Sequence, residues 1–180
     1  LGSWRIFGMA SGPVSDVVSA RIALQYDDAD GYVRNTALGG NEAKRKSFYG
    51  RGSILIDPGN GVDLLIKAEG GNLDLTGTAV ENVATAAQLA AGIAAPGEPN
   101  LERATSGFPG YVDKDFDNTN TYNMTATANF EIGEHVLTSI TGYSHYDYKK
   151  RLDSDFGAAP LFGSGFAEDF DQFSQEIRLA

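Results

Sequence analysis

The chain has no cysteine, so neither a disulfide framework nor a thiolate metal site is open to it. It also lacks any apolar run near the ~18–20 residues that a membrane helix needs, although 42% of its residues are hydrophobic. That shortage bears on helices alone. A membrane-crossing β-strand needs only ~9–11 residues and alternates its faces, which hides it from hydropathy averaging. Basic clusters are scarce: Lys149-Lys150-Arg151 is the longest, in a chain of net charge −10, which argues against nucleic acid as a partner. Histidine is limited to His135 and His145, too far apart to make a zinc site on their own. No nucleophile-elbow pattern supports a Ser/His/Asp hydrolase. The chain is therefore not expected to be an enzyme, and no cofactor or metal is implied. It opens at Leu1 without an initiator Met or signal segment and stops just after Ile177-Arg178-Leu179. The expectation is a piece cut from a longer protein.

What the chain does have is glycine, 22 residues, with eight tyrosines and ten phenylalanines, and a recurrent period of two. Seven strand-like segments are predicted over about 3–11, 17–26, 44–56, 62–70, 121–130, 136–146 and 169–179. The second is the clearest: Val18, Ala20, Ile22, Leu24 and Tyr26 share one face, Ser19, Arg21, Ala23 and Gln25 the other. The sixth is ambiguous, because Leu137 and Tyr143 fall opposite Ile140. Connections alternate in length. Short turns are expected at Gly12–Asp16 around Pro13, at Asp57–Gly61 around Pro58, and at Glu131–Glu134 around Gly133, where Pro and Gly supply the turn conformations. Long connections cover about 27–43, 72–118 and 147–167, around Gly39, Pro96 and Gly163. Within the longest, Thr78 precedes Glu81 at capping-box spacing, and an Ala-rich stretch runs on to Gly92, predicting a short helix over about 79–91.

The fold class expected is all-β: an antiparallel up-and-down meander of about seven strands, a section of a large transmembrane β-barrel. Every short turn should lie at one rim and every long loop at the other, with no parallel pair and no crossover. One face should carry Ile22, Leu24, Ile54, Ile56, Leu64, Ile66, Met124 and Phe130, poorly buried and meeting lipid. The opposite face should carry Arg21, Gln25, Asp63, Lys67, Glu69, Glu176 and Arg178, charges of both signs that suit a wet or plugged lumen better than a dry core. Both edges of the sheet should lack partners.

Few residues offer chemistry. His135 sits beside a tight turn and reads as solvated. Asp113-x-Asp115-x-Asp117 has the first positions of a calcium loop, but Asn118 replaces the required Gly and Met124 stands where a bidentate Glu belongs. Asp28-x-Asp30-Gly31 is a poorer match, and both read better as solvated carboxylates. Tyr26, Tyr32, Phe48, Tyr122, Tyr143, Tyr146 and Tyr148 gather towards the long-loop rim, where an interfacial belt is the plain explanation. Ligand contact is the alternative for Tyr32, Tyr111, Phe116 and His145.

With the strands placed, Ala20-Arg21-Ile22-Ala23-Leu24-Gln25-Tyr26 followed by Asp30-Gly31-Tyr32-Val33-Arg34-Asn35, then Leu137-Thr138-Ser139-Ile140-Thr141-Gly142-Tyr143, and finally Phe173-Ser174-Gln175-Glu176-Ile177-Arg178-Leu179 resemble the TonB-dependent receptors of Gram-negative outer membranes. They look like early strands of that family's 22-stranded barrel, with the plug domain and TonB box outside this sequence. The resemblance implies an active importer in the outer membrane, driven by the TonB complex through the plug, and taking up a scarce ligand such as an iron–siderophore chelate. It transfers no individual ligand-contacting residue. A passive porin-type barrel and a soluble β-sheet carbohydrate-binding domain are the other readings. A soluble barrel would have to hold Arg21, Lys67 and Glu176 inside with matched partners.

Overall fold

The computed structural model describes residues 2–35, 38–79, 87, 90, 91, 102, 103, 115–154 and 162–180. Seven long strands make one antiparallel sheet: β1 (Ser3–Ser15), β2 (Val18–Ala29), β5 (Lys44–Ile56), β6 (Val62–Thr76), β8 (Phe116–Ile132), β9 (His135–Asp153) and β10 (Gly163–Leu179). Their spatial order is β1-β2-β5-β6-β8-β9-β10, so each long strand pairs with the next one along the chain and β1 and β10 form the edges. The meander is as expected. No helix among the described residues is long and apolar enough to cross a membrane.

The short turns follow from local sequence. Gly133-Glu134 joins the paired residues Ile132 and His135. Gly133 takes φ +64°, the conformation that a two-residue hairpin asks of its first central position and that glycine adopts without strain. In the Asp57–Gly61 turn the Asp57 carboxylate accepts a hydrogen bond from the Gly59 N–H at 3.0 Å, the local bond by which Asp favours turns. The first turn differs from expectation. β1 continues through Pro13, which pairs with Ser19, and the chain reverses at Asp16-Val17 after a register shift between Pro13 and Ser15. Proline is tolerated there because it stands at the register shift, and an irregular position of this kind asks for no ladder donor.

The strands also run farther towards the long-connection rim than alternation predicted. β2 reaches Ala29, β6 reaches Thr76, β8 begins at Phe116, and β9 and β10 extend to Asp153 and Gly163. Gly163, expected in a loop, opens β10 opposite Asp153. Some added residues, such as Asp27 with Asp28, are polar on both faces and show no period of two, whereas Asn72-Leu73-Asp74-Leu75 alternates with its polar residues on the otherwise apolar face. At this rim β3 (Val33–Asn35), β4 (Asn41–Glu42) and β7 (Glu102–Arg103) form a small second sheet. Its β3–β7 ladder is parallel, Arg34 opposite Glu102 and Asn35 opposite Arg103. The expectation of no parallel pair therefore holds for the seven long strands and fails for the connections, whose segments are free of the sheet's up-and-down constraint. Of the predicted helix, Ala87 and Ala90 are helical, and the Ala91 N–H bonds the Ala87 carbonyl at 3.0 Å. Ala79, expected to open the helix, is not helical, while 80–86, 88, 89 and Pro96 lie outside the described residues.

Register assigns every side chain to a face. One face carries the row Ala10, Ile22, Gly52, Ala68, Met124, Tyr143 and Phe173, and the next row Gly12, Ala20, Ile54, Ile66, Ala126, Thr141 and Gln175. This face is mostly apolar from the short turns up to a line of aromatics, Tyr26, Phe48, Tyr122, Tyr143 and Phe173, with Ser139, Thr141 and Gln175 among its polar members on β9 and β10. Leu137 and Tyr143 belong to it and Ile140 to the other, which settles the sixth strand. None of its eight expected members is buried: Ile22, Leu24, Ile54, Ile66, Met124 and Phe130 are exposed, Ile56 and Leu64 half-buried. Val33, at the rim, is the one buried hydrophobic side chain among the described residues. A soluble domain would have to close this set into a dry interior; here it faces out.

Candidate functional site: the polar wall and the rim

The opposite face carries most of the sheet's charged side chains and cross-strand polar contacts, with Phe7, Met9, Leu55 and Leu65 among them. Arg21, Gln25, Asp63, Lys67, Glu69, Glu176 and Arg178 all lie on it. Arg5 and Arg45, from the strands on either side of β2, converge on the Asp27 carboxylate, and the Gln25 amide donates to the same group at 2.6 Å. Arg51 bonds Glu69 across β5–β6 at 2.6 Å, and its guanidinium lies 5.9 Å from the centre of the Tyr49 ring. Nearer the short turns the Asn129 amide donates to Asp63 at 3.0 Å and Asn129 accepts from Thr138 at 2.8 Å. Such ladders satisfy polar groups beside water or a polar filling.

Aromatics enter this wall towards the long-connection rim. Tyr146 stacks on Phe170 with centroids 5.3 Å apart and donates to Glu168. Tyr148 donates to Asp117 at 3.1 Å, and Lys150 pairs with the same carboxylate at 3.3 Å. Burial, reinforced by that bond to Asp117, raises the Tyr148 phenol above its ordinary value. These two tyrosines were expected in an interfacial belt. The register instead turns them to the polar face, because they alternate with His145 and Asp147.

Above the wall the connections are tied together by buried polar residues. The Asn35 amide donates to the Glu42 carboxylate, its carbonyl accepts from the Leu38 N–H at 2.8 Å, and both residues are almost completely buried. Asp115 accepts from the Thr78 hydroxyl and from the Asp153 N–H, each at 2.8 Å, joining the start of β8 to the end of β9. Two glycines make room: a Cβ on Gly31 would lie 2.0 Å from the Glu42 carbonyl oxygen, and one on Gly77 would lie 2.3 Å from the Glu42 Cβ. The partial calcium loop is thereby put to other uses, since Asp115 is a strut and Asp117 an ion-pair partner, while Asp113 lies outside the described residues.

Of the four ligand-contact candidates, Tyr32 is exposed at the rim between buried Gly31 and Val33. Phe116 lies at the start of β8 under the Arg151 guanidinium, 5.6 Å from the ring centre. His145 lies on the apolar-face side, stacked on Tyr122 at 6.0 Å and 3.1 Å from Asp171. Tyr111 lies outside the described residues. Tyr32, Phe116 and His145 thus occupy separate places. Strand spacing could not show that Asp169 and Asp171 would meet His145, because that depends on the β9–β10 register.

No protein-family model matches the chain, and no curated protein does. Among solved structures, the ferric yersiniabactin uptake receptor FyuA from Yersinia pestis matches 98% of the chain with a TM-score of 0.73 at 16% sequence identity. The chain spans 25% of that receptor's length. At that identity the likeness is one of fold: these seven strands are arranged as a section of such a receptor's barrel is.

Proposed function

We propose that the chain is part of the barrel wall of an outer-membrane receptor of the TonB-dependent kind, importing a scarce ligand such as an iron–siderophore complex. The observation that carries this reading is the inversion of the sheet. Its largely apolar face lies open and ends at an aromatic line, while its opposite face carries charges of both signs with cross-strand pairs such as Arg5–Asp27 and Arg51–Glu69. From the short turns to that line, Val18 to Tyr26, Phe48 to Ile56, Tyr122 to Phe130 and His135 to Tyr143 are each about nine residues, the length a tilted strand needs to span a bilayer. Aromatic side chains favour the membrane–water interface, where an apolar body meets a polar tip. The strands then continue past the aromatics, so their ends and the rim would stand in the external medium. The fold likeness to FyuA, an uptake receptor, supports the same assignment. On this reading the lipid bilayer and the TonB complex are partners, and Tyr32 is the candidate ligand contact that we retain.

The test is a growth assay that depends on uptake of the ligand by the full-length protein, in cells with and without TonB. Uptake lost without TonB is the expected result. Uptake that persists would leave a passive barrel of the porin type, with the same strands and no energised import.

A further inference from the structure

Above the aromatic line on the apolar-face side, three side chains of β9 and β10 converge. His145 is the direct cross-strand partner of Asp171, and Asp169 follows two residues along on the same face. One ligand atom from each, the imidazole nitrogen and two carboxylate oxygens, lies within 4.8 Å of the other two, and His145 Nδ1 stands 3.1 Å from Asp171 Oδ1. The electrostatics of this patch are lopsided. Asp147 faces Asp169 directly across the ladder, and like charges in that relation destabilise a sheet. Among the described residues Asp147 makes no ion pair and accepts a neutral hydrogen bond from the Asn120 amide at 3.2 Å. Among the described residues Asp169 makes no ion pair. Three carboxylates, those of Asp147, Asp169 and Asp171, therefore crowd one imidazole.

We propose that His145, Asp169 and Asp171 hold a divalent cation, which neutralises this patch and clamps β9 to β10. Two surrounding contacts orient the ligands. Tyr122 stacks against the His145 ring, and the Tyr143 hydroxyl donates to Asp171, an arrangement typical of the outer contacts that fix metal ligands. One imidazole with two carboxylates suits zinc, cobalt or nickel better than calcium or magnesium, which take oxygen ligands and more of them. Three protein ligands leave a further position for water. The site stands on the β9–β10 register and charge alone and does not depend on the transport reading.

Cobalt(II) is the probe, added to metal-stripped full-length protein with any affinity tag removed. Wild type should show a saturable visible absorption band at one equivalent, displaced by zinc(II). His145→Gln, Asp169→Asn and Asp171→Asn should each abolish the band, while Asp147→Asn, which leaves all three ligands, should retain it. Tyr143→Phe should keep the band and weaken binding roughly tenfold, the usual effect of losing an outer contact. The three ligand variants are near-isosteric, and any that fails to fold is replaced by the other two. A band that survives their loss, or no saturable cobalt binding by wild type, overturns the proposal.

Discussion

Gly77 packs directly on Glu42, so closely that a Cβ added to the glycine would lie 2.3 Å from the Glu42 Cβ. Gly77 also has φ +75°, a conformation that side-chain-bearing residues resist. Gly77→Ala should therefore cost about 1–3 kcal/mol locally and loosen the rim. Amide exchange should speed up at Asn35, whose N–H bonds the Gly40 carbonyl at 2.9 Å, and stay unchanged in the centre of β5 and β6. Unaltered exchange at Asn35 would mean that the rim does not depend on this contact.

The two faces should respond oppositely to charge. Ile22→Arg, at the middle of its span, should destabilise the membrane-inserted state of the full-length protein by ~2–4 kcal/mol, and Leu64→Arg, opposite Ile56 beside the short turns, by less. Gln25→Ala and Thr127→Ala, on the polar face, should cost far less. Denaturant unfolding in lipid vesicles measures both, and equal costs on the two faces would remove the lipid-facing assignment.

Alternation made the lower parts of β2, β5, β6 and β8 legible because one face there is apolar and the other more polar. Ile22 and Arg21 could be assigned to opposite sides of the sheet with no knowledge of their neighbours. Past Tyr26 both faces carry polar residues, Asp27 and Asp28 follow one another, and the same extended backbone leaves no pattern, so the end of β2 reads as loop. Tyr146 and Tyr148 were misplaced for a related reason: aromatic composition indicates a rim, but only parity along β9 indicates a face. The meeting of His145 with Asp171, and the burial of Glu42 and Asp115, depend on pairing between distant segments. No local signal encodes that.

Tyr148 carries a pH prediction. Its phenol is raised above the ordinary value of ~10 by burial and then by the bond to Asp117. The folded state thus keeps a proton that the unfolded chain releases. Its contribution is fully present below pH ~10 and is lost as pH rises through the folded value. Tyr148→Phe should flatten that alkaline loss in a series of unfolding midpoints. An equal loss in the variant would assign the effect to other groups.

Asp115 should matter more than its place beside a long connection suggests. Asp115→Ala leaves the Asp153 N–H and the Thr78 hydroxyl without this acceptor at a buried position, a loss of about 1–3 kcal/mol. Asp115→Asn retains one carbonyl oxygen and should recover part of it. Exchange at the Asp153 amide reports both, and protection that survives Asp115→Ala would discount the strut.

The alternation of connection lengths also orders assembly. Closing a flexible loop costs more entropy the longer it is, about 0.6 kcal/mol per doubling. The connection of residues 77–115, which joins β6 to β8, is roughly four doublings longer than the two-residue turn between β8 and β9. Hairpin partners β1–β2, β5–β6 and β8–β9 can therefore find their register early and alone. The β2–β5, β6–β8 and β9–β10 ladders must be zipped between preformed hairpins. The sheet grows two strands at a time, and the slow steps lie at the joints that carry the loops.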